Sequence, residues 1–310
     1  MCILLASRDH PNYDLILISN RDEFLQRRTH ETCWNQGEYA RILCPYDMSK
    51  SNEKNVNKIG TWCGINEFGR VSTILNLKND DSFQSSVPST KKSRGALPIK
   101  FLDNKETDSL LNWDSYEKFV KEYPFVKETG DFNFFYGDVR IGKYNVIDSI
   151  GSTNEVLTVD NPYLVISNDK FGKSNGKSTK EWEKITLAKN LLKHLPLCET
   201  EDDLIHKCFD IASTNTLNED LIKDVDVREL MTETILVPPL NVMTKEEKEK
   251  IGASLPIGQY YGTRSQIVIL VNKNRTKVKF IERILYNSDD DVTTQKLSSP
   301  IQDLTYNFTI

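Results

Sequence analysis

Ile3-Leu4-Leu5-Ala6, then Asp9-His10-Pro11-Asn12-Tyr13-Asp14, then Leu15-Ile16-Leu17-Ile18-Ser19-Asn20 is the stretch whose reading decides the fold. Two short apolar runs around a Pro/Asn/Asp turn predict a buried β-hairpin. The chain therefore enters a sheet core within its first few residues. Chain termini usually fray unless tied into a sheet, so an N-terminus that begins as a core strand calls for a reason. The second run ends abruptly in Asn20-Arg21-Asp22-Glu23. Three charged residues directly after a buried strand are costly unless paired or exposed; on their own they read as a charged turn.

Outward from this hairpin, Gly60 to Asn66 and Val71 to Asn76 predict two strands joined at Glu67-Phe68-Gly69-Arg70. Further strands are expected at Phe132–Gly137, Tyr144–Ile147, Tyr163–Ile166, Ser265–Asn272 and Lys277–Tyr286. Helical patterning falls near Trp113–Tyr123 and over Asp202–Ala212. Ser178-Thr179-Lys180-Glu181 has the form of a capping box ahead of a helix whose apolar side is Trp182, Ile185, Leu191, Leu192 and Leu195. There is no internal repeat and no interdomain linker. Strands, then helices, then strands predict one α+β layered domain over 1–310, with polar insertions at about 49–58 and 79–92.

The 310 residues carry 38% apolar and 27% charged side chains and a formal net charge of -5. That balance lacks the concentrated basic face of a nucleic-acid binder, so no nucleic-acid partner is expected. No apolar run approaches the roughly 20 residues of a transmembrane helix. The apolar start stops at Ser7-Arg8-Asp9, too soon for a signal peptide. A cytoplasmic protein is expected. Six cysteines without CxxC spacing read as reduced thiols. Four histidines without HxH or HExxH spacing give a metal site no support. Gly172-Lys173-Ser174-Asn175-Gly176 matches the GxSxG nucleophile elbow in letters only, because no histidine follows at a suitable place. Gly176-Lys177-Ser178 lacks the first glycine of a phosphate loop, Phe171 standing in its place.

The ordered set of motifs is more specific than any one of them. Met1-Cys2 leads to Asn20-Arg21-Asp22-Glu23-Phe24, with Arg27 and Trp34 beyond. Gly60-Thr61-Trp62-Cys63-Gly64, Leu75-Asn76 and Ser93-Arg94-Gly95 follow. Then come Phe132-Asn133-Phe134 with Gly137-Asp138, Ser174-Asn175 ahead of Trp182, and Tyr261-Gly262-Thr263-Arg264-Ser265-Gln266. In this the chain resembles the NRDE family, whose eukaryotic members are called transport and Golgi organisation protein 2. Arg28 departs from the family's frequent proline. The resemblance implies a four-layer αββα sandwich of the N-terminal-nucleophile hydrolase type, related to amidases that cleave C–N bonds.

It also implies a chemistry. Loss of Met1, favoured by the small residue behind it, would leave Cys2 with a thiol and a free α-amine. An α-amine with an ordinary pKa of roughly 7.7–8.0 can take the thiol proton near neutral pH, so no histidine is needed. The resemblance makes Arg21 and Asp22 the partners of Cys2, a cation lowering the thiol pKa and Asp22 holding the amine. A conflict follows from strand geometry. Adjacent residues point to opposite faces, so both can face Cys2 only if the strand ends or bulges. In a regular strand Asn20 and Asp22 share a face, and Arg21 pairs elsewhere, with Glu23 as one choice. Asn76 and Asn175 are the oxyanion-donor candidates by family position, and Asn168 competes for the second role. Asn20 and Asn168 are the substrate-contact candidates, and Arg264 would bind a substrate carboxylate or brace the Cys2 pocket. The substrate expected is a small acyl amide or thioester, and no cofactor is required. The alternative is a non-catalytic carrier of an apolar ligand such as haem or acyl-CoA. The family setting implied is secretion and Golgi organisation, with mitochondrial, lipid and haem homeostasis.

Overall fold

The computed structural model describes residues 1–48, 60–77, 92–103, 115–169, 171, 181–217, 227–242, 258–294 and 299–310. The expected insertions at about 49–58 and 79–92 lie almost wholly outside the described residues. The strands are β1 (Ile3–Ser7), β2 (Tyr13–Phe24), β3 (Thr29–Trp34), β4 (Ile42–Asp47), β5 (Cys63–Asn66), β6 (Arg70–Asn76) and β7 (Phe132–Asp138). They continue as β8 (Lys143–Asp148), β9 (Thr153–Val156), β10 (Tyr163–Ile166), β11 (Leu240–Asn241), β12 (Tyr260–Asn272), β13 (Lys277–Ile284) and β14 (Gln302–Thr309). The helices are α1 (Ala96–Asp103), α2 (Tyr116–Glu122), α3 (Glu183–Lys193), α4 (Glu201–Ala212), α5 (Val227–Glu233) and a short α6 (Asp291–Thr294).

Two antiparallel sheets organise them. One runs β10-β1-β2-β12-β13-β14, with β11 added to β12, and the other runs β3 through β9 in chain order. The period-2 alternation of β2 explains the layering. Leu15 and Leu17 point into a core shared with the second sheet, against Leu43, Ile65, Phe135 and Val146. Ile16 and Ile18 point the other way, against Ile185, Ala188 and Leu192 of α3 and Leu204 and Phe209 of α4. A strand buried on both faces must be apolar throughout, which is why the run Leu15–Ile18 is unbroken. Each such side chain contributes about 1.5–3 kcal/mol by leaving water. On the far side, α1 and α2 cover the second sheet, with Phe101 and Phe119 packed in one cluster with Phe132 and Phe134 of β7. The order is helices, sheet, sheet, helices, the αββα sandwich expected.

Several elements differ from expectation. α3 starts at Glu183 with Trp182 as N-cap and no side-chain cap bond. Glu181 therefore precedes the helix and cannot be the third residue of a capping box. It instead accepts from Thr186 Oγ1 at 3.1 Å and pairs with Lys189. Ser178 lies outside the described residues. β12 begins five residues before the expected Ser265, because Tyr261, Gly262 and Thr263 pair with Phe24, Glu23 and Asp22 at the charged end of β2. β3, β4, β9, β14 and α1 are not among the expected elements, although β4 and α1 carry the apolar stretches Ile42-Leu43-Cys44 and Ala96-Leu97-Pro98-Ile99. Among the described residues no helix is long and apolar enough to cross a membrane.

Candidate active site

The hairpin register decides the site. Ile3 pairs with Asn20 and Leu4 with Ser19, so one step further Cys2 lies beside Arg21 and Met1 beside Asp22. From Leu15 through Phe24 β2 stays regular. The irregularity sits on its partner, where β12 shifts register between Thr263 and Ser265 and slips Arg264 in as an extra residue. Alternation is thus preserved on β2: Asn20 and Asp22 face the helices, and Arg21 faces the second sheet.

On the helix face, the Met1 α-ammonium is buried. It lies 3.1 Å from Asp22 Oδ2 and donates to the Tyr261 hydroxyl at 2.7 Å. Thr263 Oγ1 donates to Asp22 Oδ1 at 2.7 Å, and Val237 N donates to Thr263 Oγ1 at 2.8 Å. Gly262 permits this, since a Cβ there would stand 3.0 Å from the Val237 and Pro238 carbonyl oxygens. Tyr261 donates to the Asp22 carbonyl at 3.0 Å; burial pushes its phenol well above the ordinary value, so it stays protonated. Lys184, at 0% exposure, donates to the Met1 carbonyl at 2.6 Å. The Met1 side chain fills a pocket of Leu230, Met231, Val237 and Leu240. Burial, then Lys184, lowers the pKa of the amine, against the pull of Asp22.

On the sheet face, the half-buried Cys2 thiol donates to the Asp22 carbonyl at 3.6 Å. Burial, then the Asp22 carboxylate, raises the thiol pKa; the α-ammonium, the Asp22 backbone and Arg21 oppose this. Arg21 lies over the Trp62 ring at 4.5 Å and pairs with Asp47 at 3.3 Å and Glu23 at 3.9 Å. Arg27 joins the same two carboxylates, at 3.0 Å to Glu23 and 2.7 Å to Asp47. Next to Cys2 in the sheet comes the end of β10. Ser167 Oγ donates to the Cys2 carbonyl at 2.6 Å, and Asn168 Nδ2 donates to the Asn76 carbonyl. Asn133 fixes that segment by donating to the Ser167 and Asp169 carbonyls at 2.9 and 2.7 Å.

Cys2, Arg21, Asp22 and Asn168 therefore gather at one corner, with Asn76 tied to Asn168. The Asn168 Oδ1 atom is buried without a partner. Asn20 is a brace: its amide donates to the Ala212 and Ile235 carbonyls at 2.8 and 3.0 Å. Arg264 holds the Tyr286 and Asn287 carbonyls at 3.1 and 2.8 Å and lines a separate cavity with Glu282 and His30. Asn175 lies outside the described residues. Tyr261 and Thr263 stood within a quoted motif without an assigned role. Lys184 carried no signal, because a lysine in an amphipathic helix reads as solvated.

Comparison with known proteins extends these observations. The uncharacterized protein YGR127W of Saccharomyces cerevisiae is 47% identical over 322 residues, covering 99% of each chain. Among solved structures, penicillin V acylase from Agrobacterium tumefaciens has a TM-score of 0.44 at 12% identity, covering 90% of this chain and 82% of that one. The C2A mutant of conjugated bile acid hydrolase from Clostridium perfringens has a TM-score of 0.37 at 12% identity, covering 99% and 96%. Residues 1–287 match the family described as Transport and Golgi organisation 2, and with that match and the yeast relative the chain belongs to this family.

Proposed function

We propose that the protein, once Met1 is removed, is a cysteine N-terminal-nucleophile hydrolase acting on an amide or thioester bond of a small acyl substrate. The observation that carries this is the pairing of the buried first amine with Asp22 while the Cys2 thiol sits 3.6 Å from the carbonyl oxygen of the same residue. Successive backbone nitrogens lie roughly 3–4 Å apart, so the amine of a processed Cys2 stays within reach of Asp22 and Tyr261.

The steps balance as follows. The Cys2 amine takes the thiol proton, and the thiolate adds to the acyl carbonyl. The amine then hands that proton to the departing nitrogen as the C–N bond breaks, leaving an acyl thioester on Cys2. Water, deprotonated by the same amine, cleaves the thioester and frees the acid and the thiol. Asp22 orients the amine, and Arg21 favours the thiolate from the sheet face. Asn168, placed beside Cys2 in the sheet, and Asn76, by family position, are the proposed oxyanion donors, and removal of one such donor typically costs ~10²–10³ in rate. Arg264 braces the corner through the β12 bulge. The setting in secretion, Golgi organisation and lipid or haem homeostasis rests on the family resemblance.

The test is a screen of acyl amides and acyl thioesters against protein whose intact mass shows Met1 removed. Cys2→Ala is expected to abolish turnover while leaving the unfolding midpoint unchanged. Equal turnover by mutant and parent, or an intact mass retaining Met1 in active protein, refutes the assignment.

A further inference from the structure

The helix-face pocket holds two basic nitrogens, Lys184 and the first amine; Asp22 pairs directly with the amine at 3.1 Å and acts on Lys184 at longer range. Lys184 is misplaced by two ordinary criteria. It is fully buried, and it stands in the first turn of α3, where the helix dipole disfavours a cation. Its acceptor is the Met1 carbonyl, which departs with Met1. A carbonyl oxygen lies about 2.2 Å from the nitrogen of its own amide. Lys184 Nζ is 2.6 Å from that oxygen, so it stands within roughly 5 Å of the Cys2 nitrogen.

We propose that Lys184 is a positioning residue that holds the proton shared in this pocket, so that the Cys2 α-amine meets the substrate unprotonated, as the base. This rests on the proposed loss of Met1 and deepens the role given there to the amine. One buried carboxylate supports one buried cation, since an unpaired charge away from water is strongly disfavoured. Two nitrogens then compete for one proton. A lysine side chain is ordinarily the stronger base by a factor of roughly 300, and both stand in the same dry pocket. Lys184 therefore stays charged, with Asp22 acting on it from beyond ion-pair distance, and its charge keeps the amine neutral.

The remaining groups around the amine do not reverse this. Cys2 on β1 supplies the thiol, and Tyr261 on β12 supplies a phenol kept protonated by burial. Arg21 on β2 is a further cation on the opposite face. Leu230 and Met231 of α5, and Val237 and Leu240 before β12, present only apolar surface. Burial lowers the pKa of Lys184 too, while Asp22 raises it.

The test needs no turnover. Met1-processed protein, labelled with ¹³Cα-cysteine, is titrated from pH 5 to 9 by NMR, and the Cys2 signal reports its own amine. Lys184→Met is expected to raise the amine midpoint by more than one pH unit. An unchanged midpoint in a folded variant overturns the proposal. In the parent, ¹⁵Nζ-lysine spectra are expected to show Lys184 as an ammonium at pH 7. A neutral Lys184 beside a protonated amine overturns the proposal even if the variant does not fold. Absence of amidase activity with both titrations as expected would sink the hydrolase assignment alone.

Discussion

The two faces of the last turn of β2 differ in how they hold charge. On the helix face, Asp22 serves a buried amine, a tyrosine and a threonine, with a fully buried lysine close by. On the sheet face, Arg21 and Arg27 share Asp47 and Glu23, and these carboxylates are 20% and 17% exposed. The first face is irreplaceable at its centre; the second is redundant and partly wet. Cys2 joins them: the amine one residue before it lies on the helix face, and its own thiol lies on the sheet face. Under the proposed hydrolase reading, one residue serves as base and nucleophile because strand alternation separates the two environments that tune them.

The sharpest break of this contrast is Asp22→Ala. It leaves the buried cation of this pocket without a counter-charge, so a loss of about 3–5 kcal/mol is expected, read from urea unfolding. Activity should vanish with it. A loss below about 1 kcal/mol would mean that the helix face is as redundant as the sheet face.

Arg21→Met probes the other face and should cost less, about 1.5–3 kcal/mol, because Arg27 remains on Asp47 and Glu23. Its specific readout is the thiol. Arg21 opposes the upward push of burial on Cys2, so its removal should move the pH midpoint of Cys2 alkylation upward. Peptide mapping is needed to follow it, since the chain has six free cysteines. A midpoint that stays put would assign Arg21 to structure alone.

How far the sequence spoke follows the same division. The hairpin was legible because a strand buried on both faces cannot hide its apolar run. The conflict between Arg21 and Asp22 was legible from alternation, and its outcome is the regular-strand branch, with Arg21 near Glu23 and also on Asp47. What could not be read was the supply of partners from distant segments. Tyr261 reaches the first amine across 260 positions of chain, and Lys184 across 183 to the Met1 carbonyl. Neither distance leaves a periodic trace. β14 shows why edges are hard: it alternates between exposed and half-buried along Gln302–Thr309, so Tyr306 and Phe308 are its only strong signals. The helix start at Glu183 was missed because Glu181 serves Thr186 and Lys189 instead of the backbone.

Glu282 gives the finest test of the contrast, at the sheet face but away from the arginine pair. It is buried on β13 and accepts from Thr32 N at 2.7 Å and Thr32 Oγ1 at 2.8 Å. Burial holds its carboxyl above the usual range, although Thr32 and, more weakly, Arg21 act the other way. A carboxyl raised on folding adds stability that is complete below the ordinary value, roughly 4.3, and is lost as pH rises through the folded value. Glu282→Gln keeps an acceptor for Thr32 and removes this slope. Relative to the parent, the variant should therefore gain stability between pH 4 and pH 8 in urea unfolding. A variant that loses ground over that interval would show Glu282 ionised and held by Arg21. The sheet face would then depend on a single buried carboxylate, as the helix face does.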